Sequence, residues 1–282
     1  MVPSYDRPDR LEDCLKALLA AEGAFPVIVV DDGSPRPLEP ICAAFGPRVT
    51  CLTQRNAGPA AARNAGAAAA RTPFLAFTDD DCRPRPGWVR ALRAALEAAP
   101  QALIGGRVEN GLPENVYAAA SQTLCDHLYD YFDAESGSAP FFTSNNIACA
   151  KAAFDLMGGF DQSFPLAAAE DRDFGLRWRD RCGPLVYRPD AVIDHFHALD
   201  LRRFWRQHRN YGRGARHLHR VMDRRGDERP KREPLGFYLG LVARPLRKGE
   251  RAGFAQSALL GLSQAAMVSG YVAEDRRAPS AG

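Results

Sequence analysis

The chain has 282 residues, 46% hydrophobic and 25% charged, with a net charge of +3. This composition fits one large globular domain, or a domain with an extension, and excludes a disordered or collagen-like chain. The seven cysteines, at 14, 42, 51, 82, 125, 149 and 182, include no C-x-x-C pair; this excludes a zinc signature and a disulfide framework and points to a reduced, cytoplasmic setting, and because no apolar h-region follows Met1 no signal peptide is expected.

The opening M-V-P-S-Y-D-R-P carries almost no strand. Arg10–Ala21 reads as a helix with Leu11, Cys14, Leu15, Leu18 and Leu19 on one face. Phe25–Val30 is a buried strand ended by D-D-G-S-P at 31–35. Leu38–Phe45 reads as a short helix, Val49–Leu52 as a strand, and alanine-rich Pro59–Ala70 as a helix with proline in its first turn. The strand Phe74–Phe77 runs into Asp79, Asp80 and Asp81, and the helix Trp88–Ala99 follows. Alternation of strands and helices predicts βαβ units and a mostly parallel sheet. Two strands then deliver carboxylates to one sheet rim, where open α/β sheets bind ligands. Three adjacent carboxylates repel one another, and a divalent cation with oxygen ligands offsets that.

Further on, Ala102–Glu109 reads as a strand. Asn110–Ala139 has no strong period and is expected to cover the site. A strand over Phe142–Ala150 is followed by helices over Lys151–Met157 and Ala168–Arg181, the latter opening with Glu170 and Asp171. Two short strands, Leu185–Tyr187 and Ala191–Ile193, lead to D-H-F-H at 194–197. Leu201–Arg225 is an arginine-rich helix, 226–234 a linker, and Leu235–Leu246 and Phe254–Val272 apolar helices. The last has nearly the length of a bilayer span. Its Gln256, Ser257, Ser263, Gln264 and Ser269 favour a membrane-surface helix or a packed one. Between Asp200 and Arg251, 16 Lys/Arg stand against 6 Asp/Glu, so the rest of the chain sums to −7. Such a tail fits an anionic surface or a solvated helical face; no nucleic-acid-binding motif is present, and nucleic acid is not expected. No G-x-G-x-x-G follows a strand and no P-loop occurs, which argues against dinucleotide and P-loop NTPase sites.

Five motifs in order, V-V-D-D-G-S, R-N-A-G-P-A-A-A-R-N-A-G, F-T-D-D-D-C, G-G-F-D with A-E-D-R-D-F-G-L-R, and A-V-I-D-H, resemble the family 2 glycosyltransferases over roughly residues 2–215. The resemblance implies the α/β GT-A fold, a nucleotide-diphosphate sugar donor, a hydroxyl acceptor, Mn²⁺ or Mg²⁺, and inversion at the anomeric carbon. It implies a catalytic domain over 1–199, with the donor part at about 1–108 and the acceptor part at 109–199, before a basic helical extension over 200–282. Where family members carry a full apolar strand before P-S-Y, this chain has only Met1 and Val2.

The same resemblance implies roles. Asp32 is placed on the base or ribose beside Pro3, Tyr5 and Arg7, with the turn at Gly33 as the plain structural reading. Arg55, Asn56 and Arg63 border the nucleotide at a helix start, where backbone N–H groups and guanidinium suit phosphate; a surface position is the plain reading of Arg63. Asp79 and Asp81 are the D-x-D pair, turned to one metal while Asp80 turns aside, as alternate residues of an extended segment do. Asp81 is the expected direct ligand, with Asp79 nearer the ribose or a metal-bound water. His195 completes the metal site, with His197 as the alternative. Asp171 is the expected base, then Glu170, then Asp173, with helix capping as the plain reading. The segment R-Q-H-R-N-Y-G-R-G-A at 206–215 lacks the Q-x-x-R-W of processive synthases, so single addition is expected. The rival readings are a sugar-1-phosphate nucleotidyltransferase, which needs a Gly-rich basic loop at the first strand, and an inactive nucleotide-sugar-binding protein, which needs no acids. The acceptor is expected to be a glycan or lipid-linked, with the tail in peripheral contact with the inner membrane face.

Overall fold

Val and Ile runs build a parallel sheet from β1 (Val2–Ser4), β2 (Val27–Asp31) and β3 (Val49–Thr53), in the order β1-β2-β3. β1 is short, yet it pairs Val2 with Val29 and Ser4 with Asp31. Its connections are α1 (Pro8–Ala20) and α2 (Glu39–Ala43), and α3 (Pro59–Ala69) leaves the third strand. The computed structural model describes the chain except at 22, 137–140, 165–167, 231–232, 250–251 and 277–282, and at 133–136 the backbone alone.

The second sheet is mixed. It contains β4 (Phe74–Phe77), β5 (Cys82–Pro84), β6 (Leu103–Asn110), β7 (Ile147–Ala150) and β8 (Leu185–His195), in the order β4-β7-β6-β8-β5. Only β6 and β8 run parallel. Two hydrogen bonds join the sheets: the Met1 amine donates to Ala76 O at 2.9 Å, and Thr78 N donates to Met1 O at 3.1 Å. The carboxyl ends of β1, β2 and β4 therefore lie along one edge.

The helices that pack with this second sheet are α4 (Trp88–Ala98), α6 (Lys151–Met157) and α7 (Glu170–Arg181); α5 (Val116–Ser136) comes between α4 and α6 in sequence and belongs elsewhere. Leu11, Leu15, Val29, Trp88, Leu92 and Ile104 share the core cluster. Each such side chain stabilises the fold by about 1.5–3 kcal/mol. A second aromatic core stacks Phe160 on Phe174 at 4.3 Å, with Phe77, Phe154 and Trp178 around them.

The chain divides into two compact units. The first holds Met1–Gly111, Ser138–Pro165 and Glu170–Phe196, and the second Leu112–Gly137, Leu166–Ala169 and His197–Gly282. The second is helical: α5 (Val116–Ser136), α8 (Leu201–Arg225), α9 (Leu235–Arg247) and α10 (Gly253–Asp275). α8 and α10 meet at glycines. A Cβ on Gly212 would lie 1.8 Å from Met267 O, and one on Gly270 1.9 Å from Arg209 O. Gly212 of the Y-G-R-G segment thus serves close helix packing, while a Cβ on Gly214 would lie 2.4 Å from Ala168 O. No helix among the described residues is long and apolar enough to cross a membrane. The polar residues of α10 at 256, 257 and 263 are buried.

Three departures from the sequence reading have physical reasons. The segment without a period holds the 21-residue helix α5. Its buried positions are small or polar, Ala118, Ala120 and Thr123 beside Leu124, which blurs the apolar stripe. Asn115 caps it, accepting from Ala118 N at 2.9 Å and Tyr117 N at 3.1 Å. β5 was hidden by Pro84, which an edge strand tolerates. The two short strands at 185–193 are one strand, its register with β6 shifting between Gly106 and Arg107. Residues 137–139 of the expected cover and 231–232 of the expected linker lie outside the described residues.

Candidate active site

The acids after β4 do not lie on extended backbone. The chain turns there, with Cys82 N donating to Asp79 O at 3.1 Å. Alternation therefore does not apply, and each carboxylate finds its own partners. Asp80 turns inward, 3% exposed, and accepts from Ser4 Oγ at 2.7 Å and from Arg7 at 3.0 Å. Burial lifts its carboxyl from 3.8 to about 6 against the pull of Arg7, and the Asp81 charge adds to the rise. Asp81 accepts from Arg7 at 3.3 Å and Arg10 at 3.1 Å, and lies 3.3 Å from His195 Nε2. Asp79 instead accepts from Arg63 at 2.8 Å.

β5 explains the position of His195. Its pairing with β8 sets Cys82 opposite His195, and Phe196 N donates to Asp81 O at 2.8 Å. Burial pulls the imidazole pKa down, but the bond to Asp81 and the charges of Asp81 and Asp79 outweigh it, and the net shift is upward. Ligand atoms of Asp81, Cys82 and His195 lie within 4.8 Å of one another. Asp79 is not in that group. Burial, then the Asp81 charge, raises the Cys82 thiol far above its ordinary range, so it stays protonated and is a poor ligand. The remaining oxygen and nitrogen donors suit Mn²⁺ or Mg²⁺. His197 belongs to the second unit.

Arg63 is 3% exposed and not a surface residue. One guanidinium nitrogen bonds Asp79 and the other bonds Glu170 Oε1 at 3.2 Å. Phe160 lies beneath it, with the guanidinium carbon 5.6 Å from the ring centroid. The next residue, Asn64, clamps the Phe160 backbone, donating to its O at 2.8 Å and accepting from its N at 2.9 Å. The R-N, G-G-F-D and E-D-R-D-F segments are thus one packed cluster. Burial, then the Asp171 charge, raises Glu170 from 4.5 to about 7 despite Arg63. Asp171 is less buried and is also raised, by burial first. Its Oδ1 accepts from Arg172 N at 2.8 Å. Asp173 is committed to the fold through Arg177 at 2.7 Å.

Asp31 and Asp32 hold loops. Asp31 accepts from Ser34 N and Leu38 N. Asp32 accepts from Gln54 Nε2 at 2.7 Å, Ala57 N at 2.9 Å and Gly58 N at 2.9 Å. A carboxylate has about four lone-pair sites, so Asp32 keeps room for about one further donor. Pro3 sits in β1 opposite Val30. Tyr5 is 47% exposed, and Arg55 and Asn56 lie on an exposed loop before α3. Arg7, expected on the nucleotide, is held by the acids. Ser4, inside P-S-Y, has no role in the sequence reading, and Arg10 carries no motif and was not legible; the signal for Arg10 was its place one helical step after Arg7, three residues on.

A family model described as Glycosyl transferase family 2 matches residues 1–159. The pre-mycofactocin glycosyltransferase of Mycobacterium tuberculosis (strain ATCC 25618 / H37Rv) is 33% identical over 208 residues, covering 71% of this chain and 44% of that protein. The hyaluronan synthase of Pasteurella multocida is 29% identical over 214 residues, covering 63% of this chain and 22% of that protein. The chain thus spans less than half the length of these curated relatives. Among solved structures, the mannosyltransferase PcManGT from Pyrobaculum calidifontis, in complex with GDP-Man and Mn²⁺, matches 98% of this chain and 86% of its own at a TM-score of 0.65 and 15% identity. GalNAc-T7 with UDP, GalNAc and Mn²⁺ matches 94% of this chain and 54% of its own at 0.59 and 11% identity. These structural likenesses are likenesses of fold.

Proposed function

Because the chain belongs to glycosyl transferase family 2 and has the GT-A fold, we propose that it moves a sugar from a nucleotide-diphosphate sugar to a hydroxyl, with inversion. The observation that supports this most is the convergence at one sheet edge of Asp81 and His195 with the Asp79–Arg63–Glu170 bridge. It joins a cation-ready carboxylate to a helix start bearing two raised carboxyls.

In this reading Asp81 and His195 hold Mn²⁺ or Mg²⁺, which would offset charge on the leaving diphosphate. Asp79 borders the donor, while Asp80, expected on the donor too, is turned inward and supports Ser4 and Arg7 instead; Pro3, Tyr5 and Asp32 face the base and ribose, and Arg55 and Asn56 the phosphates. Arg7, half exposed, turns part of its guanidinium to the donor while steadying Asp80 and Asp81. Asp171 takes the proton of the acceptor hydroxyl as its oxygen attacks the anomeric carbon. The bond to diphosphate breaks on the opposite face, which gives inversion. A raised carboxyl is a better base near neutral pH than one at the ordinary Asp value. Arg63 holds Glu170, and through it the start of α7, in place.

Residues 1–199 form the catalytic domain of this reading and 200–282 its extension. The relatives differ in what they are named for making, and the acceptor here is proposed by charge alone: a glycan or lipid-linked hydroxyl met at an anionic inner membrane face. A donor screen tests the core of the proposal. Thermal shift against UDP, GDP and dTDP sugars, with and without Mn²⁺, should show metal-dependent stabilisation by one nucleotide. Asp81→Ala should keep the fold and lose both that shift and sugar transfer. No metal-dependent shift with any nucleotide, or full activity in Asp81→Ala, would overturn it.

A further inference from the structure

We propose that a cavity of about 350 Å³ between α5 and α9 binds a phosphate group. α5 lines it with His127, Asp130 and Tyr131. α9 adds Gly240, Arg244 and Arg247, and Lys248 closes its end. Among the described residues, three cations thus face one small space with one lining acid. That acid is committed, since Asp130 Oδ2 accepts from Arg244 at 2.6 Å. Among the described residues no carboxylate lies within ion-pair distance of Arg247 or Lys248. Among the described residues Asp126, one turn before Asp130, is the other acid nearby; burial raises its carboxyl, while the bond from Gln122 and then the charges of Arg244 and Lys248 pull it down. Counting it as charged still leaves the balance positive.

Cations at a helix C-terminus also answer the helix dipole. That accounts for their number but not for the space they line. Gly240 lets α9 approach α5 beside it: a Cβ there would sit 3.3 Å from His127 Cε1, tighter than ordinary contact. Glycine inside a helix is less favourable than alanine, so this close approach to His127 is kept at a cost in helix stability. Guanidinium forks, an ammonium and a phenol hydroxyl together match the oxygens of a phosphate monoester or diphosphate. The volume is at the lower end for ligand sites, enough for the phosphate and part of what carries it. An anionic phospholipid headgroup and a soluble phosphate share this chemistry.

The full chain is titrated with inorganic phosphate by thermal shift and calorimetry, and with vesicles containing phosphatidic acid or phosphatidylcholine only. The same is done for Arg247→Gln/Lys248→Gln, and for Gly240→Leu, which fills the cavity without changing charge. Should the leucine variant not fold, Tyr131→Trp, which enlarges another lining side chain without changing charge, takes its place. Saturable binding that weakens at least tenfold in both variants is the expected result. Loss of inorganic phosphate binding identifies a soluble source, and loss of phosphatidic acid binding alone a lipid one. Binding that survives the filled cavity but falls in the charge variant is diffuse surface attraction and overturns the site, as does no binding of either probe.

Discussion

Arg63 holds carboxylates on two elements, Asp79 after β4 and Glu170 at the start of α7, and is itself buried. Removing one partner of a buried ionic cluster leaves the others uncompensated, at about 3–5 kcal/mol. Arg63→Ala should lose stability on that scale in urea denaturation, together with activity. Arg63→Lys should recover only part, because one ammonium cannot span two carboxylates as a fork does. Glu170 makes stability depend on pH. Its folded value of about 7 lies above its ordinary 4.5, so the folded protein keeps the proton through that window while the unfolded chain releases it. This contribution is full below about pH 4.5 and is lost as pH rises to about 7. Melting curves from pH 4.5 to 7.5 should show it, as a slope worth up to about 3 kcal/mol. Glu170→Gln should flatten that slope; an unchanged slope would place the titration elsewhere.

Among the elements, α8 and α10 depend on bare backbone at their crossing. Gly212→Ala would set a methyl 1.8 Å from Met267 O, which no rotamer relieves. The helices must separate, and a loss of about 2–3 kcal/mol is expected from chemical denaturation. Ordinary stability at alanine would show that the helices are free to shift. The strands whose ends carry acids were legible because Val, Ile and Phe runs end abruptly at Asp31 and Asp79. The role of Arg63 in joining two motifs was not legible, since helix phase alone cannot say which side faces a second acid. β5 was not legible either, because its three residues include Pro84 and its stability comes from β8, far along the chain. The helix α5 left one local trace, the cap at Asn115.

At the scale of the molecule, the basic surplus is smaller than a count over 200–251 suggests. Arg213 pairs with Glu274 at 2.9 Å, Arg220 pairs with Glu274 at 3.5 Å, and Arg216 pairs with Asp275. Both acids lie beyond the counted stretch. Arg202, Arg206 and Arg224 remain exposed on α8. Deleting 200–282 would strip α5 of the helices it packs against, so the membrane reading is better tested on the full chain. Flotation with anionic vesicles should fall with salt, and fall again in Arg202→Gln/Arg206→Gln/Arg224→Gln. Equal flotation on neutral vesicles would remove the electrostatic argument.

The bonds that assemble the site join distant parts of the chain. Arg63 meets Glu170 across 107 positions, and Arg85 meets Asp194, beside His195, across 109. Closing loops of that length carries an entropic cost that must be met before such contacts give any return. A nascent chain that has only reached β7 has its acid run but neither the imidazole nor the helix-start carboxyls. Appearance of Mn²⁺ affinity during refolding is therefore expected to track completion of the first unit, and to lag behind the formation of secondary structure.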